Sequence, residues 1–394
     1  MTPTRNHLSD LRGATQLAFD ATAGITGIVE RTHRTVQLRP GPLGRPARDR
    51  PRGITGFVYR QILGTQRLIG QALDASLAPL EAILPEGEAT DRRDALVAAL
   101  NGVYGDHLAR SQNPLAIQMS LRHRGRIVDP EQPAALLGSS GKPVRADRLL
   151  LLVHGLCLND RQWMRDGHDH GAALAADLGY LPLYVRYNSG LHVASNGQLL
   201  AGMLEMLIGH WPIPLKELVI VGHSMGGLVA RSACYHGLAE DHAWPGSLHK
   251  LVFLGTPHHG APLERGGHWL DVLMGLSPYS VPFARIGKMR SAGITDLRHG
   301  SITRGGHAMV PLPEDVQCYA AAATLAEQRS PLAERLVGDG LVPLNSALGR
   351  HVHDAHSLII PDDHQWIGYR IGHMEMLNHP DVYAQLRGWL QDTA

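Results

Sequence analysis

The residues with the plainest chemical meaning lie in the run LVIVGHSMGGLVARSA, residues 218–233. It contains Gly222-His223-Ser224-Met225-Gly226, the pattern G-x-S-x-G, with a β-type run before it and a helix-compatible run after it. That context predicts a sharp strand-to-helix turn with Ser224 at its apex. Small residues at 222 and 226 let the flanking chains pass closely, and the strained backbone between them holds the serine oxygen out toward a substrate. A helix starting at Met225 aims its first N–H groups and its positive dipole end at the place where an oxyanion would form. A serine hydroxyl is a weak nucleophile until a base takes its proton, so a histidine and an orienting carboxylate are required. On an elbow of this kind they follow the serine, acid first and histidine second.

Downstream, Val337-Gly338-Asp339-Gly340-Leu341-Val342-Pro343 places a carboxylate in a glycine-flanked loop, and Asp339 is the expected acid. Asp354, Asp362 and Asp363 compete with it, the last two placed after the expected final strand and read as solvated surface acids. Ile371-Gly372-His373-Met374 follows the last β-type run and precedes a C-terminal helix, which makes His373 the expected base. His364 and His379 are the alternatives, and His379-Pro380 has the look of a helix cap. The second oxyanion donor belongs in a loop after an earlier strand. Leu149–Val153 followed by His154-Gly155-Leu156 fits, with the amide of Leu156 as donor beside that of Met225. Cys157 has no base to activate it and reads as packing.

These loops need a scaffold. From about residue 113 onward, short β-type runs at Leu149–Val153, Leu183–Val185, Leu218–Val221, Leu251–Leu254, Val316–Ala320 and Leu358–Ile360 alternate with helix-compatible stretches such as 171–178, 196–211 and 225–236. Strand and helix in alternation imply a mostly parallel sheet with helices on both faces. Residues 115–129, with Gly125 between two runs, predict a hairpin at the sheet edge. Residues 1–113 read as a helical N-terminal extension. Its three helices begin near Ala14, Val58 and Thr90 or Asp91, and a Pro/Arg-rich loop, residues 37–53, lies between the first two. The catalytic domain is then 114–394. Within 261–310, the apolar stretch WLDVLMGLSPYSVPF reads equally as a lid or as a core excursion.

Composition narrows the function. The 394 residues include 37 basic and 36 acidic side chains, for a net charge of +1, so no global field gathers nucleic acid or an anionic membrane. Residues 1–53 do carry nine Arg against four acids, which reads as a solvated basic loop. Three scattered cysteines make neither a disulfide framework nor a zinc knuckle. No signal-peptide h-region and no membrane-length apolar run is seen, so a soluble cytoplasmic protein is expected, with peripheral membrane contact left open. Among the 24 histidines, His168/His170 and His351/His353 form H-x-H pairs, but two ligands are not a site, and neither metal nor cofactor is expected.

With GHSMGG, His154-Gly155 and Gly255-Thr256-Pro257-His258-His259-Gly260 in place, the chain from about 115 to its end resembles the α/β-hydrolase superfamily. It is most similar to bacterial lipases and esterases akin to the GPI-inositol deacylase group. The resemblance implies an α/β-hydrolase fold, a covalent acyl-enzyme on Ser224, no cofactor, and a lipid-like or short acyl ester as substrate. Three rivals stay open: an acyltransferase using the same triad, a C–C hydrolase, and a non-catalytic interaction protein, which would be expected to carry a broken triad.

Overall fold

The computed structural model describes Gly13 and residues 91–137, 146–260, 291–304, 310–327 and 338–391. The expected helices near Ala14 and Val58, the basic loop 37–53, and most of the lid-or-excursion segment (261–290 and 305–309) lie outside the described residues. The chain divides into two compact units. One comprises Thr90–His107 and Ile117–Ala394 with Met1–Pro3, and the other Thr4–Ala89 with Leu108–Ala116. Within the second unit, Asn113 donates from Nδ2 to Gly13 O (2.9 Å) and accepts at Oδ1 from Leu115 N (2.9 Å).

The first unit is built on an eight-stranded sheet. In chain order the elements are α1 (Asp91–Arg110, in this unit as far as His107), β1 (Ser120–His123), β2 (Arg126–Val128), β3 (Arg148–Val153), α2 (His170–Leu178), β4 (Leu181–Arg186), α3 (Val193–Gly209) and β5 (Glu217–His223). Then come α4 (Met225–Ala239), β6 (Leu248–Leu254), α5 (Ala292–His299), β7 (Gln317–Thr324), α6 (Leu344–Ala347), β8 (Gln365–Tyr369) and α7 (Pro380–Leu390). The strand order is β2-β1-β4-β3-β5-β6-β7-β8. From β4 to β8 every neighbouring pair is parallel, and β1 joins β4 and β2 antiparallel. The β1–β2 hairpin turns through Arg124 and Gly125, both at positive φ (48° and 75°), the turn geometry that matches strand twist.

Leu149 to Val153 are all buried, as a strand covered on both faces requires. Leu150, Leu152, Val219, Val221, Val252 and Leu254 form one core face with Leu174 of α2 and Leu386 and Trp389 of α7. Helix α4 packs on β3, β5 and β6 and pairs with α3, and the two helices approach so closely that a Cβ at Gly197 would overlap Ser232. The strand order reverses at β3, whose neighbours are β4 on one side and β5 on the other. Ligands of open parallel sheets bind beyond the carboxyl ends of the strands at such a switch point. Among the described residues, no helix is long and apolar enough to cross a membrane.

One expected strand moves. Leu358–Ile360 is not part of the sheet: Leu358 N donates to Gly349 O (2.8 Å), and Ile359 is 91% exposed between two buried neighbours. The place beside β7 is taken by Gln365–Tyr369, so Asp362, Asp363 and His364 precede the last strand instead of following it. A short run of β-branched and apolar residues has the composition of a strand and says nothing about its partner.

Candidate active site

Ser224 stands between the last residue of β5 and the first of α4, with φ 54° and ψ −124°, a region that L-residues avoid without external support. Support comes from Ser224 N donating to Leu254 O (2.8 Å) and from Gly227 N donating to Ser224 O (3.1 Å). Glycine is needed on both sides. A Cβ at Gly222 would lie 2.5 Å from Gly227 Cα and N, and one at Gly226 would lie 2.7 Å from His154 O and closer still to Val153 O. Strand β3 therefore touches the elbow itself. Gly155 is also close: a Cβ there would lie 3.1 Å from the Ser224 Cβ, tighter than ordinary van der Waals contact.

The carboxylate and the imidazole expected from the sequence meet. His373 Nδ1 donates to Asp339 Oδ2 at 2.7 Å, with both side chains nearly inaccessible (2% and 1% exposed). Asp339 sits between Gly338 and Gly340, at φ 45° and 96°, and its Oδ1 accepts from Leu341 N (2.9 Å) and Val342 N (2.8 Å). Its backbone carbonyl accepts from His373 N (3.1 Å), so acid and base are fixed to each other twice. Gly255 links this pair to the elbow. A Cβ there would lie 3.2 Å from both Asp339 Oδ2 and His373 Cε1, and the preceding carbonyl, Leu254 O, is the one that holds Ser224 N. Ser224, Asp339 and His373 are all buried.

Leu156 N and Met225 N, the expected oxyanion donors, have no hydrogen-bond acceptor among the described residues. The turn carrying Leu156 closes with Leu158 N donating to Gly155 O (3.4 Å). His154 donates from Nδ1 to Gly155 O (2.8 Å) and stacks on Tyr187 at 4.3 Å, while Tyr187 Oη donates back to His154 O (2.7 Å). Burial pushes His154 down to about 4, so it shapes the loop as a neutral ring. Burial raises the Cys157 thiol to about 12, in keeping with a packing role.

The alternatives fall elsewhere. Asp354 and Asp362 lie exposed in short turns. His364 stacks on Tyr319 at 4.1 Å, and His379 caps α7, accepting at Nδ1 from Asp381 N (3.2 Å).

Two histidines with no role legible in the sequence brace this part of the site, His223 at His373 itself and His170 at the turn after it. His223, inside the G-x-S-x-G pattern, donates from Nε2 to His373 O (3.1 Å), their rings 4.8 Å apart. Burial first, and then the neighbouring His373, hold His223 well below the usual imidazole range. His170 donates from Nε2 to Met376 O (2.9 Å), which leaves its Nδ1 to accept from His168 Nε2 (2.8 Å). Burial lowers it to about 4. The His168/His170 pair is thus a hydrogen-bond chain that ties α2 to the turn after His373. Among the described residues, no group of three or more His, Cys, Asp or Glu side chains is arranged to hold a metal.

Residues 187–318, about a third of the chain, match the family model of the PGAP1-like alpha/beta domain. The matched stretch contains Ser224, its elbow and the Gly255–Gly260 loop, and it stops short of Asp339 and His373. No curated protein matches the chain in sequence. Similar solved structures include a Bacillus licheniformis lipase in mature form, at 17% identity and TM-score 0.44, covering 65% of this chain and 97% of that one. A Pyrococcus furiosus esterase shows 14% identity and TM-score 0.38, covering 62% and 81%. Aspergillus fumigatus lipase B shows 14% identity and TM-score 0.36, covering 67% and 54%. By its strand order and elbow, the chain has the α/β-hydrolase fold, and over residues 187–318 it is similar to the PGAP1-like alpha/beta domain.

Proposed function

We propose that the protein is a serine hydrolase that cleaves carboxylic esters through Ser224, His373 and Asp339. The observation that carries the reading is the buried Asp339–His373 pair, packed on the residue that follows the carbonyl holding the strained Ser224. With Nδ1–H committed to Asp339, His373 presents its Nε2 lone pair as the general base. It takes the Ser224 hydroxyl proton as Oγ attacks the acyl carbonyl. The carbonyl oxygen becomes an oxyanion and is received by the Leu156 and Met225 amides, at the positive end of α4. The imidazolium then protonates the leaving alkoxide, and the acyl group stays on Ser224. Water, deprotonated by the same Nε2, attacks the acyl-enzyme, and the imidazolium returns that proton to Ser224 Oγ as the acid leaves. Asp339 holds the ring in the tautomer both half-reactions need. No cofactor enters any step.

The near-neutral chain suits an uncharged acyl ester, lipid-like or short. The test is hydrolysis of p-nitrophenyl esters from acetate to palmitate. Activity is expected, and Ser224→Ala or His373→Ala lowers it about 10³-fold or more. An unchanged rate in Ser224→Ala would sink the assignment.

A further inference from the structure

The turn that presents the Leu156 amide is held in a conformation its own sequence disfavours. Cys157, its third residue, has φ 61°, where a side chain is strained and glycine is usual. Its N–H donates to Ser189 Oγ (3.1 Å), and its Sγ lies 3.8 Å from Ala99 O, an acceptor on α1. The thiol presses on Gly102 of α1, where a Cβ would overlap Sγ and lie 3.0 Å from Cys157 Cα and N. Ser189 is fixed by the same helix. Asn188 donates from Nδ2 to Gly105 O (2.9 Å) and accepts at Oδ1 from Gly190 N (3.1 Å). A Cβ at Gly105 would lie 2.7 Å from Asn188 Cγ, and one at Gly190 would lie 2.9 Å from Gly105 Cα. From the far side, Ser291 donates from Oγ to Gly102 O (2.6 Å). Cys157, Asn188, Ser189 and Ser291 are all buried.

We propose that α1 is the clamp of the oxyanion turn, and that Gly102 and Gly105, with Ser189, are positioning residues for the reaction. Neither the fold's motifs nor the matched domain at 187–318 includes this helix. The glycines are needed because only a bare backbone lets Cys157 and Asn188 sit on the helix. Movement of the 156–157 peptide against α1 turns the 155–156 peptide with it, and with that the N–H aimed at the oxyanion. None of the three touches a reacting atom. The inference rests on the proposed role of Leu156.

The experiment compares the wild type with Gly102→Ala, Ser189→Ala and the double variant Gly102→Ala/Cys157→Ala in the full chain. Gly102→Ala is expected to lower kcat about ten- to a hundredfold with KM nearly unchanged, because the donor shifts relative to the transition state more than to the bound ester. Affinity for an aryl boronic acid, whose adduct places an oxygen on the same donors, falls in parallel. Cys157→Ala in the Gly102→Ala background removes the overlapping Sγ and recovers part of the lost kcat, the 3.0 Å approach to Cys157 Cα and N being left in place. A folded Gly102→Ala with wild-type kcat, or a loss the second substitution fails to recover, overturns the clamp. Should Gly102→Ala not fold, Ser189→Ala decides: it deletes only the acceptor of Cys157 N–H, and wild-type kcat there overturns the proposal. An active Ser224→Ala would instead overturn the proposed function. An inactive Ser224→Ala beside unaffected Gly102 and Ser189 variants leaves that function standing and removes only the clamp.

Discussion

Gly222→Ala is the sharpest perturbation of the elbow that leaves every polar group in place. The added Cβ would lie 2.5 Å from Gly227 Cα and N and 2.7 Å from Gly226 C, all backbone atoms of the elbow and the first turn of α4. Carbon atoms in good contact sit about 3.5 Å apart, so strand and helix must separate by about 1 Å at the elbow. No rotamer change can relieve the clash, because both partners are main chain. The separation moves the Met225 amide and Ser224 Oγ relative to His373, which is tied to β6 and β7 through Gly255 and Ile371. A misplacement of that size costs about a hundredfold in rate, while overpacking costs about 1–3 kcal/mol of stability. The assay is kcat on a p-nitrophenyl ester well below the variant's Tm, with Tm measured alongside. Gly388→Ala is the control: exposed within α7 and with nothing near its would-be Cβ, it should keep full activity and gain about 0.5–1 kcal/mol. A folded Gly222→Ala within twofold of the wild-type kcat would refute the close-packing argument.

Asp339→Asn keeps an acceptor for Leu341 N and Val342 N but turns an N–H toward His373 Nδ1, which forces the proton to Nε2. A loss of about 10³–10⁴-fold in kcat near neutral pH is expected, and a loss under tenfold would contradict the orienting role. Stability should fall with acid. His154 and His170, held near 4 in the fold, titrate near 6.5 when unfolded, so the unfolded chain binds more protons below pH 6.5 and the fold loses stability from there down to about 4. At pH 5 each contributes about 2 kcal/mol of that loss, and His223 and His258 act in the same direction. A Tm that stays flat from pH 7.5 to 5 would contradict the buried neutral histidines. His223→Leu removes the donor to His373 O and should lower kcat, with partial recovery in His223→Gln, whose side-chain amide can donate again; equal rates in both variants would count against a positioning role.

The legibility of the site follows from the range over which each constraint acts. Ser224 is announced by its own neighbours, since the elbow's geometry is local and demands glycine at 222 and 226. Asp339 shows because a carboxylate turned inward between two positive-φ residues needs glycines beside it, and those are visible in sequence. His223 sits in the same motif, yet its partner is a carbonyl 150 residues away that no spacing encodes. His170 looked like half of a metal pair because H-x-H is the same string whether the rings face an ion or a backbone oxygen. The last strand moved from Leu358–Ile360 to Gln365–Tyr369 because a short apolar run has strand composition but does not specify a partner. Helix α1 shows an apolar stripe in sequence, but its small-residue face at Ala98, Ala99, Gly102 and Gly105 carries no hydrophobic signal of its own.

The most direct measurement is covalent labelling with a fluorophosphonate, read by intact mass and peptide mapping. One adduct per chain on Ser224 is expected, absent after thermal unfolding and strongly slowed in His373→Ala. No adduct on the folded protein, or an adduct on another residue with Ser224 unmodified, would contradict the account.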